Sequence, residues 1–299
     1  MPFRYRSSDE DSGRWADFPF RPSDIVISTR SKSGTTWMQM ICALLIFQTS
    51  EFPTRLADLS PWLDWLGLPR DEVVARLEVQ THRRIIKTHT PLDGIPLDPR
   101  ATYIVVAREP LDAAVSAYHQ NDNLDRARMR ELTGQAPAPE PAPPPAPLRE
   151  SLLAWIDLDL EPREYLDSLP GMLHHLGDAW TRRTEPNVVL VHYDDLASDL
   201  DGEMRRVAAR LGIDVPDLLW PGLVEAATFE HMQSQAGALA PDPADILIDR
   251  GRFFRRGKSG SGREVLTQDE FADYEARAAS LATPDLWAWL HRAADDGAH

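Results

Sequence analysis

The sequence predicts an α/β fold, a central parallel sheet flanked by helices in three layers. Three observations predict it. Short runs of β-branched and apolar residues recur at Ile25-Val26-Ile27, 84–88, 102–107 and 187–191. These runs are nearly continuous rather than alternating, as expected of strands buried on both faces. Between them lie stretches with helical periodicity, so strands and helices alternate along the chain.

The elements follow in order. Residues 1–23 are polar and broken by prolines, with Trp15, Phe18 and Phe20 as packing anchors; they read as an ordered lead-in. The first strand runs into the polar loop Thr29-Arg30-Ser31-Lys32-Ser33-Gly34, and a helix then carries Thr35-Thr36-Trp37 on through Phe47. Strand, glycine-bearing loop and helix N-terminus together make an anion cradle: the first helical amides lack internal partners and the helix dipole adds positive potential. Lys32 contributes a full charge, and Ser33, Thr35 and Thr36 contribute hydroxyl donors. The nucleotide loop G-x-x-x-x-G-K-[ST] has its lysine after the second glycine; here the lysine precedes a single glycine, so the loop is shorter.

Residues 53–68 are irregular and hold Trp62 and Trp65, which together with Phe18 and Phe20 hint at an apolar pocket without a defined role. Asp71–Val79 reads as a short helix. The second strand ends in Lys87-Thr88-His89. The third ends at Arg108, and Pro110 sits where a helix takes its first residue. The fourth is followed by His192-Tyr193-Asp194-Asp195 and a helix over Asp199–Leu211 that stops at Gly212. Further helices are expected from Leu148 to Trp155, Gly171 to Arg183, Gln268 to Leu281 and Pro284 to Ala294. The proline–alanine tract at 136–147 can form neither helix nor sheet, so 134–148 is expected to be a surface loop. A basic run, Arg250 to Lys258, precedes a Gly-Ser-rich turn segment. The whole chain, 1–299, is expected to form a single domain.

Composition narrows the function. A formal charge of −15 argues against nucleic acid or an anionic membrane as partner. An anionic ligand must be drawn by a local cationic pocket. The lone Cys42 lies in the first helix pattern and cannot form an internal disulfide or a cysteine-based metal site; no metal is expected. No apolar run approaches the roughly 20 residues of a membrane span, and there is no signal segment at the start, so a cytoplasmic protein without stable membrane insertion is the expectation.

Lys32 with its loop, Lys87 with His89, and Arg108 all fall at C-terminal ends of parallel strands, the edge where open α/β sheets bind ligands. In this arrangement R-S-K-S-G-T-T-W (30–37) resembles the phosphosulfate loop, Y-P-K-S-G-T-T-W, of the cytosolic sulfotransferase family. Lys87-Thr88-His89 matches the family's K-T-H segment. A-R-E-P-L-D-A-A-V-S (107–116) matches its 3′-phosphate segment. Tyr193 follows the next buried strand as in the family, and Phe254-Arg255-Arg256-Gly257 resembles its late F-R-K-G segment. The likeness spans about residues 20–265 with five motifs in order.

The resemblance implies a three-layer P-loop-like fold and transfer of a sulfuryl group from 3′-phosphoadenosine 5′-phosphosulfate (PAPS) to a hydroxyl of a small or lipid-like acceptor, leaving 3′-phosphoadenosine 5′-phosphate (PAP). It implies His89 as general base, in keeping with the ordinary titration range of histidine, and Lys32 and Lys87 as catalytic cations. Cofactor contacts would come from Lys32, Ser33, Gly34, Thr35, Thr36, Trp37, Arg108, Ser116, Tyr193, Phe229, Arg255, Arg256 and Gly257. His119, His174, His175 and His192 are expected to be ordinary surface or core residues. The chain departs from the pattern at Arg30-Ser31, in place of Tyr-Pro, at Thr228, and after Gly257. The late dimerisation segment survives only as Arg263 and Thr267, so a homodimer is possible but its mode cannot be carried over. Two other classes compete. A P-loop kinase or NTPase would need the missing loop and a strand-end acid for Mg²⁺. A non-catalytic nucleotide-binding protein would not need Lys32, Lys87 and His89 together.

Overall fold

The computed structural model describes residues 1–137, 145–242 and 244–291. Four strands, β1 (Ile25–Ser28), β2 (Ile85–Thr88), β3 (Thr102–Ala107) and β4 (Val188–His192), form one parallel sheet in the order β2-β1-β3-β4. The helices are α1 (Thr35–Phe47), α2 (Leu56–Leu59), α3 (Arg70–Glu78), α4 (Pro110–Asn121), α5 (Arg126–Leu132), α6 (Leu148–Asp157), α7 (Leu169–Thr181), α8 (Tyr193–Ser198), α9 (Leu200–Leu211), α10 (Trp220–Ala227), α11 (Phe229–Ser234), α12 (Ala236–Leu239), α13 (Gln268–Leu281) and α14 (Pro284–Leu290).

Side chains alternate across a strand, and here the alternation feeds two apolar layers. Ile25, Ile27, Ile85, Ile104, Val106, Val189 and Val191 face a core made with α1, α9 and α10. Val26, Ile86, Tyr103, Val105, Ala107 and Val188 face a second core made with α4, α6, α7 and α13. Burial on both faces explains why the strands read as continuous apolar runs. Trp15 and Phe18 of the lead-in belong to the second core, and Phe20 packs against it. Cys42 is fully buried in the first core.

Local signals set the helix ends. Pro110 occupies the first turn of α4 and Glu109 caps it, accepting from the Asp112 amide at 2.7 Å. Asp199 is the cap of α9 rather than its first residue, and Gly212 closes that helix at φ 64°. α7 starts earlier than expected, because Ser168 caps it and Pro170 is accommodated in its first turn. Six short helices, α2, α5, α8, α10, α11 and α12, have no counterpart in the sequence reading; each is at most eight residues long, too short for periodicity to declare itself. Most of the proline-rich tract, 138–144, lies outside the described residues, as does 292–294 of the expected last helix. No helix among the described residues is long and apolar enough to cross a membrane.

Candidate active site

Because β1 lies between β2 and β3, the three strand ends that carry charge are neighbours. β1 delivers Thr29–Gly34 to α1. Lys32 (φ 66°) and Gly34 (φ 101°) are both left-handed, so the loop coils tightly ahead of the helix, the backbone pattern of an anion nest. Gly34 is the N-cap, and no side chain caps α1. The first-turn amides are therefore left to an external acceptor. A Cβ on Gly34 would sit 3.1 Å from the Tyr193 ring and 3.3 Å from Val106, so both conformation and space demand glycine. The Thr29 and Thr35 hydroxyls hydrogen-bond across the loop, and Ser33 and Thr36 are buried beside them.

The cations crowd around this loop. Lys32 Nζ stands 3.9 Å above the Phe253 ring and 3.4 Å from Gln120 Oε1. Burial, then Arg108, Lys87 and Arg255, push its pKa down to about 7. Arg108, at the end of β3, donates to the Lys32 carbonyl at 3.0 Å and the Lys258 carbonyl at 3.2 Å. Its guanidinium lies 4.2 Å from the Tyr193 ring centroid, and its buried Nε has no hydrogen-bond partner among the described residues. Arg255 is half-buried, and burial, then Arg256 and Arg108, lowers its pKa. Arg256 instead points to the surface, paired with Glu264 at 2.9 Å. Ser116 is half-buried on α4.

The aromatic residues converge at one side. Trp37 meets Tyr193 edge-on at 5.2 Å and donates from Nε1 to the Ala227 carbonyl at 2.8 Å. Phe229 meets Phe254 at 6.2 Å. Gly257 (φ 63°) passes so close to Phe229 that a Cβ would overlap the ring at 2.4 Å. The joint between α10 and α11 thus joins the donor-side cluster. Thr228 at that joint caps α11, accepting from the His231 amide at 3.2 Å.

At the end of β2 the surroundings change. Residues 61–63 run beside the strand: the Lys87 amide donates to Pro61 at 2.9 Å, and the Leu63 amide to Lys87 at 3.3 Å. This fixes Trp62 between three partners. Lys87 Nζ lies 3.9 Å from its ring centroid, Trp65 stacks on it at 5.8 Å and 12°, and the His89 ring meets it edge-on at 4.6 Å. Beside them opens a small cavity of about 50 Å³ lined by Gln39, Ser60, Trp62, Trp65, Lys87 and Ile246. Burial lowers the Lys87 pKa to about 8, with Glu10 and Asp64 opposing.

His89 is buried, and its Nδ1 is hydrogen-bonded to the Thr29 carbonyl. A carbonyl can only accept, so Nδ1 carries the proton and Nε2 keeps its lone pair. Burial, with Lys87 and Arg30 adding like charge, holds the His89 pKa well below the usual imidazole value. The ring is therefore neutral at pH 7 with a free basic nitrogen.

Three other histidines have structural partners. His174 contacts the Tyr5 hydroxyl at 2.8 Å, His175 is buried against Ser28 at 3.2 Å, and His192 caps α8. Sequence reasoning gave no role to Arg30, Glu10, Asp64 or Gln120, all of which border this site. Glu10 lies 3.8 Å from Arg30, and Asp64 is fully buried, accepting from Thr88, Thr90 and Trp15. The only signal for Arg30 was its place two residues before Lys32; the acids carried none.

The chain is similar to known proteins of one family. The family model described as "Sulfotransferase domain" matches residues 22–278. A glycolipid sulfotransferase of Mycobacterium bovis is 43% identical over 306 residues, covering 96% of this chain and 93% of the relative. Among solved structures, a retinol dehydratase in complex with androsterone and the inactive cofactor PAP aligns with a TM-score of 0.67 at 20% identity. That alignment covers 91% of this chain and 86% of the other. A mouse sulfotransferase complexed with PAP aligns with a TM-score of 0.65 at 20% identity, covering 93% and 91%. Matched over most of its length by the family model and closely similar to a curated relative, the chain belongs to the sulfotransferase family.

Proposed function

We propose that this sulfotransferase takes its sulfuryl group from PAPS and delivers it to a sugar hydroxyl of a lipid-linked acceptor, with His89 as general base. The observation that carries the reading is the pairing of an uncapped helix N-terminus on β1 with a neutral imidazole at the end of β2, whose Nε2 is unprotonated. The residues suit the donor. The Ser33–Thr36 segment and Lys32 would hold the phosphosulfate, Arg108, Ser116, Arg255 and Gly257 the 3′-phosphate, and Trp37, Tyr193 and Phe229 the adenine. Arg108 Nε, buried without a partner, fits a phosphate oxygen. Arg256 would have to leave Glu264 to join them.

PAPS, when bound, supplies an activated sulfuryl group on a phosphate leaving group. With the donor bound, His89 Nε2 would take the proton of the acceptor hydroxyl and so make its oxygen nucleophilic. Lys32 and the first-turn amides of α1 stabilise the negative charge that develops on the departing oxygen. Lys87 adds a second cation from the next strand. The partly exposed Trp62 face and the adjoining cavity give the acceptor an apolar wall. The glycolipid named for the Mycobacterium bovis relative supports a sugar-bearing lipid as acceptor class. The two cores on one sheet support reading the chain as a single domain.

The test is incubation with ³⁵S-labelled PAPS and a panel of detergent-dispersed glycolipids, phenols and amines. Label is expected on a sugar hydroxyl of the glycolipids. Label confined to phenols or amines would replace the acceptor class, and no label with any hydroxyl compound would remove the reading.

A further inference from the structure

Arg30 is only 4% exposed, although it carries a full charge. Burying a guanidinium is costly, and apolar residues commonly fill such a position with no loss of stability. Its contacts point to a more specific task. Nη1 donates to the backbone carbonyl of His89, and Nη2 donates to the Asp167 carboxylate. Glu10 lies 3.8 Å from Nη1. The preceding residue, Thr29, supplies the carbonyl that receives the His89 Nδ1–H. The β1 and β2 loops are thus joined in both directions: an Arg30 side chain to the His89 backbone, and a His89 side chain to the Thr29 backbone.

The two acids come from distant segments that are themselves anchored. Glu10 pairs in a backbone bridge with Trp65, and Leu66 donates to the Asp9 carbonyl at 2.8 Å. Asp167 precedes the Ser168 cap of α7, and its carbonyl accepts from Trp155 Nε1 at 2.7 Å. Arg30 therefore gathers the lead-in, both strand-end loops and the segment entering α7 around one imidazole.

We propose that Arg30, held by Glu10 and Asp167, is a positioning residue that fixes the His89 ring in its Nδ1–H tautomer, leaving Nε2 unprotonated for the acceptor hydroxyl. The proposal rests on His89 being the base. The charged and titratable groups facing His89 are Lys87 on β2, Arg30 on the β1 loop and His175 on α7. Glu10 and Asp64 act in turn on Lys87, and Glu10, Asp64 and Asp167 on Arg30.

The test labels all histidines with ¹⁵N and identifies His89 as the signal missing in His89→Ala. In the unmodified protein at pH 8 its nitrogen shifts should be those of a pure Nδ1–H tautomer. In Arg30→Gln they should move toward a tautomer mixture, and the His89 titration should move upward because a neighbouring cation is gone. Turnover with labelled PAPS and octyl β-glucoside should fall by about tenfold or more, the scale of a misplaced reacting group. PAP affinity should stay within about threefold, since Arg30 contacts none of the donor cations. Arg30→Lys should recover part of the turnover; it restores the charge but not the planar fork. Should Arg30→Gln fail to fold, Asp167→Asn, at an exposed carboxylate, carries the same tautomer and turnover measurements. Unchanged His89 shifts in whichever variant folds overturn the proposal, even with His89→Ala inactive. Full turnover in His89→Ala would instead remove the base assignment, a separate failure.

Discussion

On the β1–β3 side of the site, anion recognition is written into the main chain. Two left-handed residues, an uncapped helix and a glycine wedged between Tyr193 and Val106 make the cradle within a few consecutive positions. On the β2 side nothing comparable exists. There the wall is Trp62 and Trp65 from an irregular stretch, Gln39 from α1 and Ile246 from a late loop, behind which Glu10, Arg30 and Asp167 converge. The contrast teaches where each half can change. A cradle of backbone geometry fails by strain or lost charge on almost any substitution. A wall of side chains can be re-shaped one residue at a time, which suits the half that selects the acceptor.

The largest effect expected is on the acceptor side. His89→Ala should lower turnover by about 10²–10⁴-fold, the usual share of a general base, with PAP affinity nearly unchanged by calorimetry. A parallel loss of PAP affinity would show that the two halves are not separable. On the donor side, Arg108→Ala should weaken nucleotides bearing a 3′-phosphate by about 1.5–3 kcal/mol, as for a charged hydrogen bond, and spare those without one. Equal weakening would make Arg108 a structural tie between Lys32 and Lys258. Gly34→Ala should destabilise the fold by about 1–3 kcal/mol, the cost of a strained backbone residue, measured by denaturant unfolding. An unchanged midpoint would mean that the loop relaxes at no cost.

A smaller effect concerns protons. Lys32 has its free-state pKa lowered to about 7 by burial and neighbouring cations. A bound anion stabilises the charged amine and raises that pKa. Binding at pH 8 should then take up as much as about one proton, and PAP affinity should decline by up to about tenfold per pH unit above 7. Phosphate monoesters are already ionised there, with a second pKa of about 6. Calorimetry at pH 8 in two buffers of different ionisation enthalpy reads the uptake; none at all would place Lys32 away from the anion. Smallest of all, Trp62→Ala should weaken acceptor binding by about 0.5–1.5 kcal/mol, as for a lost aromatic contact, and leave PAP binding alone. A matching loss of PAP affinity would join the wall to the cradle.

The sequence carried the four strands, the cradle with Lys32 and Gly34, the helix start at Pro110 and the helix stop at Gly212, and the strand-end positions of His89 and Arg108. Each depends on a few adjacent residues whose backbone preferences or apolar continuity act locally. It also placed Phe229 and Gly257 in the same neighbourhood through resemblance to a family, not through any physical signal in their own surroundings. Arg256 shows the limit: neighbouring arginines read alike, yet one turns inward beside Arg108 and the other pairs with Glu264 at the surface.

What the tertiary structure alone decided is which distant groups meet. The order β2-β1-β3-β4 sets three charged strand ends side by side. Packing of residues 61–63 against β2 turns two unassigned tryptophans into a wall beside His89. The burial of Arg30 between Glu10 and Asp167 follows from the same assembly. Local backbone geometry is specified by neighbours in sequence, whereas a buried charge is defined by its partners, and those are brought to it only when the sheet and its two cores have formed.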